Sequence, residues 1–195
     1  MQLTKSEVAR RQLGTALSLF VSNHDPISVH VLACGAGEIA DHLSKKAKKP
    51  TFSLHLLSVN PDLDESGLKA LRNRYWNAFK HATTQGGKDR DDDEILQNFR
   101  DDHNDHVLFI GWYDYMRAVE CYPVGAQVFQ LWYFSMYPDK VNSAPAVAHA
   151  VKVFGKLQEV SRQEAKRRLR LVIQDYENDE KLLADPRTDK RPLII

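Results

Sequence analysis

Arg74 and His81 are the two residues whose types and spacing carry the clearest chemistry in this chain. They lie in Leu71-Arg72-Asn73-Arg74-Tyr75-Trp76-Asn77-Ala78-Phe79-Lys80-His81-Ala82, which sets polar and charged residues among large apolar ones with no helix breaker. On a helix of about 3.6 residues per turn the two fall about 20° apart on one stripe. A histidine that titrates near neutrality can take or give a proton, and an arginine that stays charged can hold a phosphate and its developing negative charge. The pair fits cleavage of RNA without a metal or other cofactor. The 2'-hydroxyl attacks the adjacent phosphate, His81 serves as base or acid, Arg74 steadies the phosphorane, and Asn77 or Lys80 adds a hydrogen bond or a charge. The same spacing separates the two by about 10 Å along the axis, so within one chain they do not converge on one atom. A two-fold dimer with this helix at its interface would bring Arg74 toward His81 of the partner subunit. The structural alternative pairs Arg74 with an acid such as Glu38 or Asp102 and leaves His81 as a helix-end charge balancing the dipole.

Two further groups carry weaker signals. His103 and His106, flanked by Asp102 and Asp105, have the spacing of two metal ligands on one helical turn, but a third ligand must come from elsewhere and a solvated helix face explains them as well. Arg162, Lys166, Arg167, Arg168 and Arg170 form a basic stripe that shares its helix with Glu159, Glu164, Asp175 and Glu177, the pattern of a salt-laced surface.

The elements that must position these residues are helices. Val8, Leu13, Ala16, Leu17 and Phe20 recur at threes and fours after Thr4 or Ser6, which are suited to cap. Residues 27–40 allow two readings. A strand followed by Gly35-Ala-Gly37-Glu-Ile-Ala40 would be the glycine turn of a nucleotide-binding or methyltransferase unit. Asp25-Pro26 is instead a helix opening, Leu32, Ala36, Ile39 and Leu43 keep helical spacing through both glycines, and the small residues would let another helix pack close. The helical reading is preferred. Residues 51–59 form a short helix or strand, Asp62 or Asp64 caps a helix running to about Thr83, and residues 85–94 form a charged loop. The spacing then predicts one long helix over 94–119, a central apolar helix over 124–137, a weaker one over 144–157, another over 161–176, and an extended tail. The fold class is all-α.

The 195 residues allow one buried core, with 27 Lys and Arg against 26 Asp and Glu leaving a net charge of +1 and no global field to draw in nucleic acid. Cys34 and Cys121 match no disulfide or zinc pattern and read as reduced thiols, which with the absence of a long apolar run leads us to expect a soluble, cytoplasmic protein with no membrane contact.

Gln12-Leu13-Gly-Thr-Ala-Leu-Ser-Leu-Phe20, Ile27-Ser-Val-His-Val-Leu-Ala33, Asn77-Ala-Phe-Lys-His-Ala82 with its Asp-rich loop, and Ala126-Gln-Val-Phe-Gln-Leu-Trp-Tyr-Phe-Ser-Met-Tyr-Pro138 stand in that order. Over residues 7–140 they resemble a group of small bacterial helical proteins whose central helix reads Asn-Phe-Phe-Lys-His-Ala. That group is similar to the HEPN superfamily, helical bundles that often dimerise and whose ribonuclease members carry an Arg followed, after four to six residues, by a His. Arg74 and His81 fit with six between them, although the polar residue expected directly after the Arg is Tyr75, while Asn73 follows Arg72. The resemblance implies an HEPN-like bundle over 1–140 with a C-terminal helical extension, 141–195, packed on the same domain, and a homodimer. It implies a metal-independent endoribonuclease of toxin or defence type using Arg74 and His81, with Asn77, Lys80 and Glu38 in support. The alternative is a non-catalytic module that binds RNA, a nucleotide or a protein partner; a methyltransferase-like binder at Gly35 and Gly37 ranks third.

Overall fold

The N-terminal helix α1 (Lys5–Val21) starts where the Thr4 hydroxyl accepts from the Glu7 amide, and it buries the Leu13, Leu17 and Phe20 stripe completely. The computed structural model to which this helix belongs describes residues 3–194. α2 (Pro26–Lys46) is capped by the Asp25 carboxylate, which accepts from the amides of Ile27 and Ser28, and it continues without interruption through Gly35 and Gly37. The strand-and-glycine-turn reading, and with it the methyltransferase-like binder, is therefore corrected: both glycines lie inside a helix. Their small size serves packing. The Cα atoms of Gly37 and Gly111 face one another where α2 crosses α6 (His103–Val119), and Ala33, Ala36 and Ala40 are fully buried beside them.

α7 (Val124–Met136) closes the core. Phe20 meets the rings of Phe129 and Trp132 edge-on, each at 5.7 Å, and the Trp132 indole N–H donates to the Ala165 carbonyl at 2.9 Å. α8 (Ala144–Phe154) accommodates Pro145 because that residue sits in its first turn, and ends at Gly155 with φ 73°. α9 (Arg162–Tyr176) adds Ala165, Leu169 and Ile173 to the same core as α1, α2 and α6. Among the described residues the chain is 70% helical, and no helix is long and apolar enough to cross a membrane.

The remaining helices form a flank. α3 (Phe52–Val59) is capped by Thr51, and α4 (Glu65–Lys80) by Asp64. The long helix expected over 94–119 is instead two: α5 (Asp93–Gln97), then α6 from His103. The polar side chains between them supply the reason. The Asn98 amide donates to the Glu94 carbonyl, and the Arg100 amide donates to His103 Nδ1, each competing with the helical ladder.

The tail is extended after a short α10 (Glu180–Ala184), and β2 (Thr188–Asp189) pairs in parallel with β1 (Tyr122–Pro123). Arg10, fully buried on α1, donates to the Asp189 carboxylate at 2.9 Å and to the carbonyls of Arg191, Pro192 and Leu193. The tail crosses α1 so closely that a Cβ on Gly14 would lie 2.0 Å from the Leu193 oxygen.

Candidate functional site

α2 and α4 run antiparallel. His30 meets Tyr75 and Phe79, Gly35 meets Trp76, and Gly37 meets Arg72. Residues 33–45 of α2 and 65–73 of α4, together with α3 and with Val107 and Ile110 of α6, line a cavity of about 320 Å³. Ala33, Leu57, Leu68, Val107 and Ile110 supply apolar surface; Glu38, Asp41 and Lys45 from α2, Ser53 from α3, and Glu65, Lys69, Arg72 and Asn73 from α4 supply polar groups. Glu38, Lys45, Glu65 and Lys69 are exposed, so the cavity opens to solvent along this rim.

Arg72 is the central cation. Its Nη1 donates to the Ser53 hydroxyl and lies 3.8 Å from Asp41, whose carboxylate also takes Lys45 at 2.8 Å and the Ser53 hydroxyl at 3.3 Å. Among the described residues, Nε and Nη2 of Arg72 have no acceptor. The guanidinium is 25% exposed, and a glycine at position 37 leaves room for it against α2.

Asp114, fully buried on α6, accepts from the Phe52 amide at 2.7 Å and so fixes the start of α3. Burial pushes its carboxyl up to about 6; the Phe52 bond opposes the shift and the nearby Asp41 reinforces it. Burial likewise lifts the Cys34 thiol on the cavity wall to about 12, so it stays protonated and unreactive at neutral pH.

Next to the cavity, an aromatic cluster holds α4 to the core. His30 is ringed edge-on by Tyr75, Phe79 and Phe99 at 5.2 to 5.9 Å between centroids. Its Nδ1 lies 3.0 Å from the Asn104 side-chain oxygen, which assigns the proton to Nδ1 and leaves buried Nε2 without a partner among the described residues. Burial pushes this imidazole down to about 4.

Arg74 and His81 lie outside this arrangement. Both are exposed and, among the described residues, neither has a hydrogen-bonding or ion-pairing side chain; Arg74 lies over the ring of its neighbour Tyr75, 5.7 Å from the centroid. The pairing of Arg74 with Glu38 or Asp102 is not made: Glu38 lines the cavity, and Asp102 binds Arg100. His81 follows the last residue of α4 in extended conformation, φ −123°, because the helix stops at Lys80 and not at Thr83. Lys80 covers the Trp76 ring at 3.3 Å, and Asn77 offers its carbonyl to the His81 amide.

The other expected groups are occupied. His103 stacks against Phe99, lies tilted beside Tyr75 and bonds at Arg100, while His106 Nδ1 lies 2.9 Å from the Tyr133 hydroxyl; among the described residues no three His, Cys, Asp or Glu gather as metal ligands. On α9, Arg162 forks onto Asp101 and buried Asp105, Lys166 also reaches Asp101, and Arg167 and Arg168 share Glu164. Apart from Arg170, for which no ion pair is seen among the described residues, the stripe is a set of ion pairs that ties α9 to Asp101, to Asp105 of α6 and to itself.

Sequence reasoning passed over Arg72, Asp41, Ser53 and Asp114. A signal for Arg72 was present: Leu68, Arg72, Tyr75 and Phe79 follow spacings of four, three and four, so Arg72 shares the inward face of α4. Arg74, two positions on, is turned about 200° from it. Comparison of the chain with protein-family models, with curated proteins and with solved structures returns no match.

Proposed function

We propose that the chain is a non-catalytic binding module for a small organic ligand taken into the cavity between α2, α3, α4 and α6. The observation that carries this reading is the Arg72 guanidinium, largely withdrawn from water at the wall of a cavity of ligand size, with one edge of donors unused. A nucleotide falls within the class, its base on the apolar floor and its phosphate at Arg72. Screening a metabolite panel by ligand-observed NMR against the wild-type chain and Leu57→Trp tests it. Leu57 lines the cavity but is only half-buried, so an indole there fills the space without disturbing the core. Compounds that bind the wild type should be lost in Leu57→Trp; hits that persist in the variant would refute the reading.

The metal-independent endoribonuclease of the HEPN-like resemblance is the second reading. It is favoured by one observation: Arg74 and His81 are exposed and free of partners among the described residues, available to a homodimer that sets them against each other across the interface. RNA incubated in EDTA with wild type, Arg74→Ala and His81→Ala decides it. Cleavage by the wild type alone supports this reading, and equal cleavage by all three, or none, removes it.

A further inference from the structure

The cavity's charges are arranged for a ligand that is itself doubly charged. Asp41 is already shared among Lys45, Ser53 and Arg72. Glu38, three residues before Asp41 on the same side of α2, also lines the cavity, and among the described residues its carboxylate has no partner. Across the cleft, Arg72 presents Nε and Nη2 with no acceptor. The polar wall therefore holds an unused fork of donors at Arg72 and an unused acceptor at Glu38, with Glu65 and Lys69 also unpaired on the rim among the described residues, and the floor below them is apolar. The lining carries three carboxylates, Glu38, Asp41 and Glu65, against three cations, Lys45, Lys69 and Arg72, so it offers no net field to a phosphate dianion, which would gain from the fork alone. A ligand with one carboxylate and one ammonium meets the Arg72 fork and the Glu38 carboxylate and leaves the balance of the lining unchanged.

We propose, resting on the reading of this cavity as a ligand site, that its ligand is a small zwitterion with an apolar side chain: an aliphatic or aromatic α-amino acid or a close derivative. The carboxylate takes the Nε–Nη2 edge of Arg72 in the two-pronged geometry that guanidinium and carboxylate share, and the ammonium takes Glu38. The side chain lies on Leu57, Leu68, Val107 and Ile110. A volume of about 320 Å³ suits a ligand of this size.

Isothermal titration of the full chain with L-leucine, L-phenylalanine, 4-methylpentanoate, 3-methylbutylamine and AMP tests the class. 4-Methylpentanoate keeps the acid and side chain of leucine without the ammonium, and 3-methylbutylamine keeps the ammonium without the acid. One of the two amino acids should bind about tenfold or more tighter than either half-ligand and than AMP. Glu38→Gln, an exposed change that leaves the fold intact, should weaken leucine about tenfold while leaving 4-methylpentanoate unchanged, and Arg72→Lys should weaken both. Equal binding of leucine and 4-methylpentanoate would overturn the role of the ammonium. Tightest binding by AMP would overturn the zwitterion in favour of a phosphate ligand, with the cavity reading intact if Leu57→Trp abolishes it. If none of the five binds while the metabolite panel still yields hits lost in Leu57→Trp, the class is wrong and the cavity reading stands. Silence in both refutes both.

Discussion

The two sides of α2 have opposite characters. Toward α1 and α6 the helix buries Val29, Ala33, Ala36 and Ala40 in a core whose largest members, Trp112 and Trp132, are almost wholly enclosed. Toward α3, α4 and α5 the contact is thin: α4 has one fully buried residue, Leu68, and α3 and α5 have none. Yet this thin side holds the cavity, the unpaired edge of Arg72, and the exposed Arg74 and His81. Close packing and the cavity are thus segregated, with a close-packed platform carrying a thinly buried layer, and the proposed recognition site falls in the second.

The largest expected contrast is in stability. Trp132→Ala should cost about 3–5 kcal/mol by chemical denaturation, while Leu71→Ala on exposed α4 should stay within about 0.5 kcal/mol. Similar losses from the two would break the comparison. Arg10→Met should cost about 3 kcal/mol, because it removes the buried one of the two guanidinium groups on Asp189 and leaves the carbonyls of residues 191–193 without their donor, and it should make residues 188–194 the first site of proteolysis. Asp189 itself is pulled upward by burial, but the bonds from Arg191 and Arg10 hold it down at about 2. Its contribution is therefore present above the ordinary carboxylate value and lost only as pH falls through about 2.

Acid should loosen the thin side. Burial holds the His30 imidazole down at about 4, so the contribution of its burial is undiminished above the ordinary value of about 6.5 and is lost as pH falls toward 4, and α4, whose Tyr75 and Phe79 supply part of that burial, should loosen in the same window. Burial and the nearby Lys140 push His106 down to about 4 as well, with the same sign. Asp114 opposes both, since a carboxyl raised to about 6 favours the folded state as pH falls from there toward 3.8. Hydrogen exchange between pH 7 and 4.5 should show amides of α4 opening before those of α6, and His30→Leu should remove that early opening; simultaneous opening would count against the division. The smallest effect belongs to Arg74→Ala, which should change stability by no more than about 0.5 kcal/mol, because this exposed side chain makes no hydrogen bond or ion pair among the described residues.

What could be read before the fold was known follows the same division. α2 was legible because Asp25-Pro26 and the apolar spacing are local signals, and the all-α class followed from such signals summed along the chain. The break after α5 was not, because the Asn98 side chain closes α5 and the His103 side chain opens α6 through bonds that apolar periodicity does not register. The cavity was least legible. It exists only because residues 33–45 of α2, α3 and residues 65–73 of α4 come together over α6, a non-local fact, and the polar residues of α4 drew attention to the outward pair Arg74 and His81 when Arg72 faces inward.

The most direct test of the cavity as the recognition site is backbone chemical-shift mapping with the strongest hit from a panel that includes L-leucine, L-phenylalanine and AMP. Shifts should concentrate on residues 33–45, 53–57 and 65–73, which line the cavity, and spare residues 77–81 and 162–176. Shifts centred on Arg74 and His81, or the absence of any binding compound, would contradict the account.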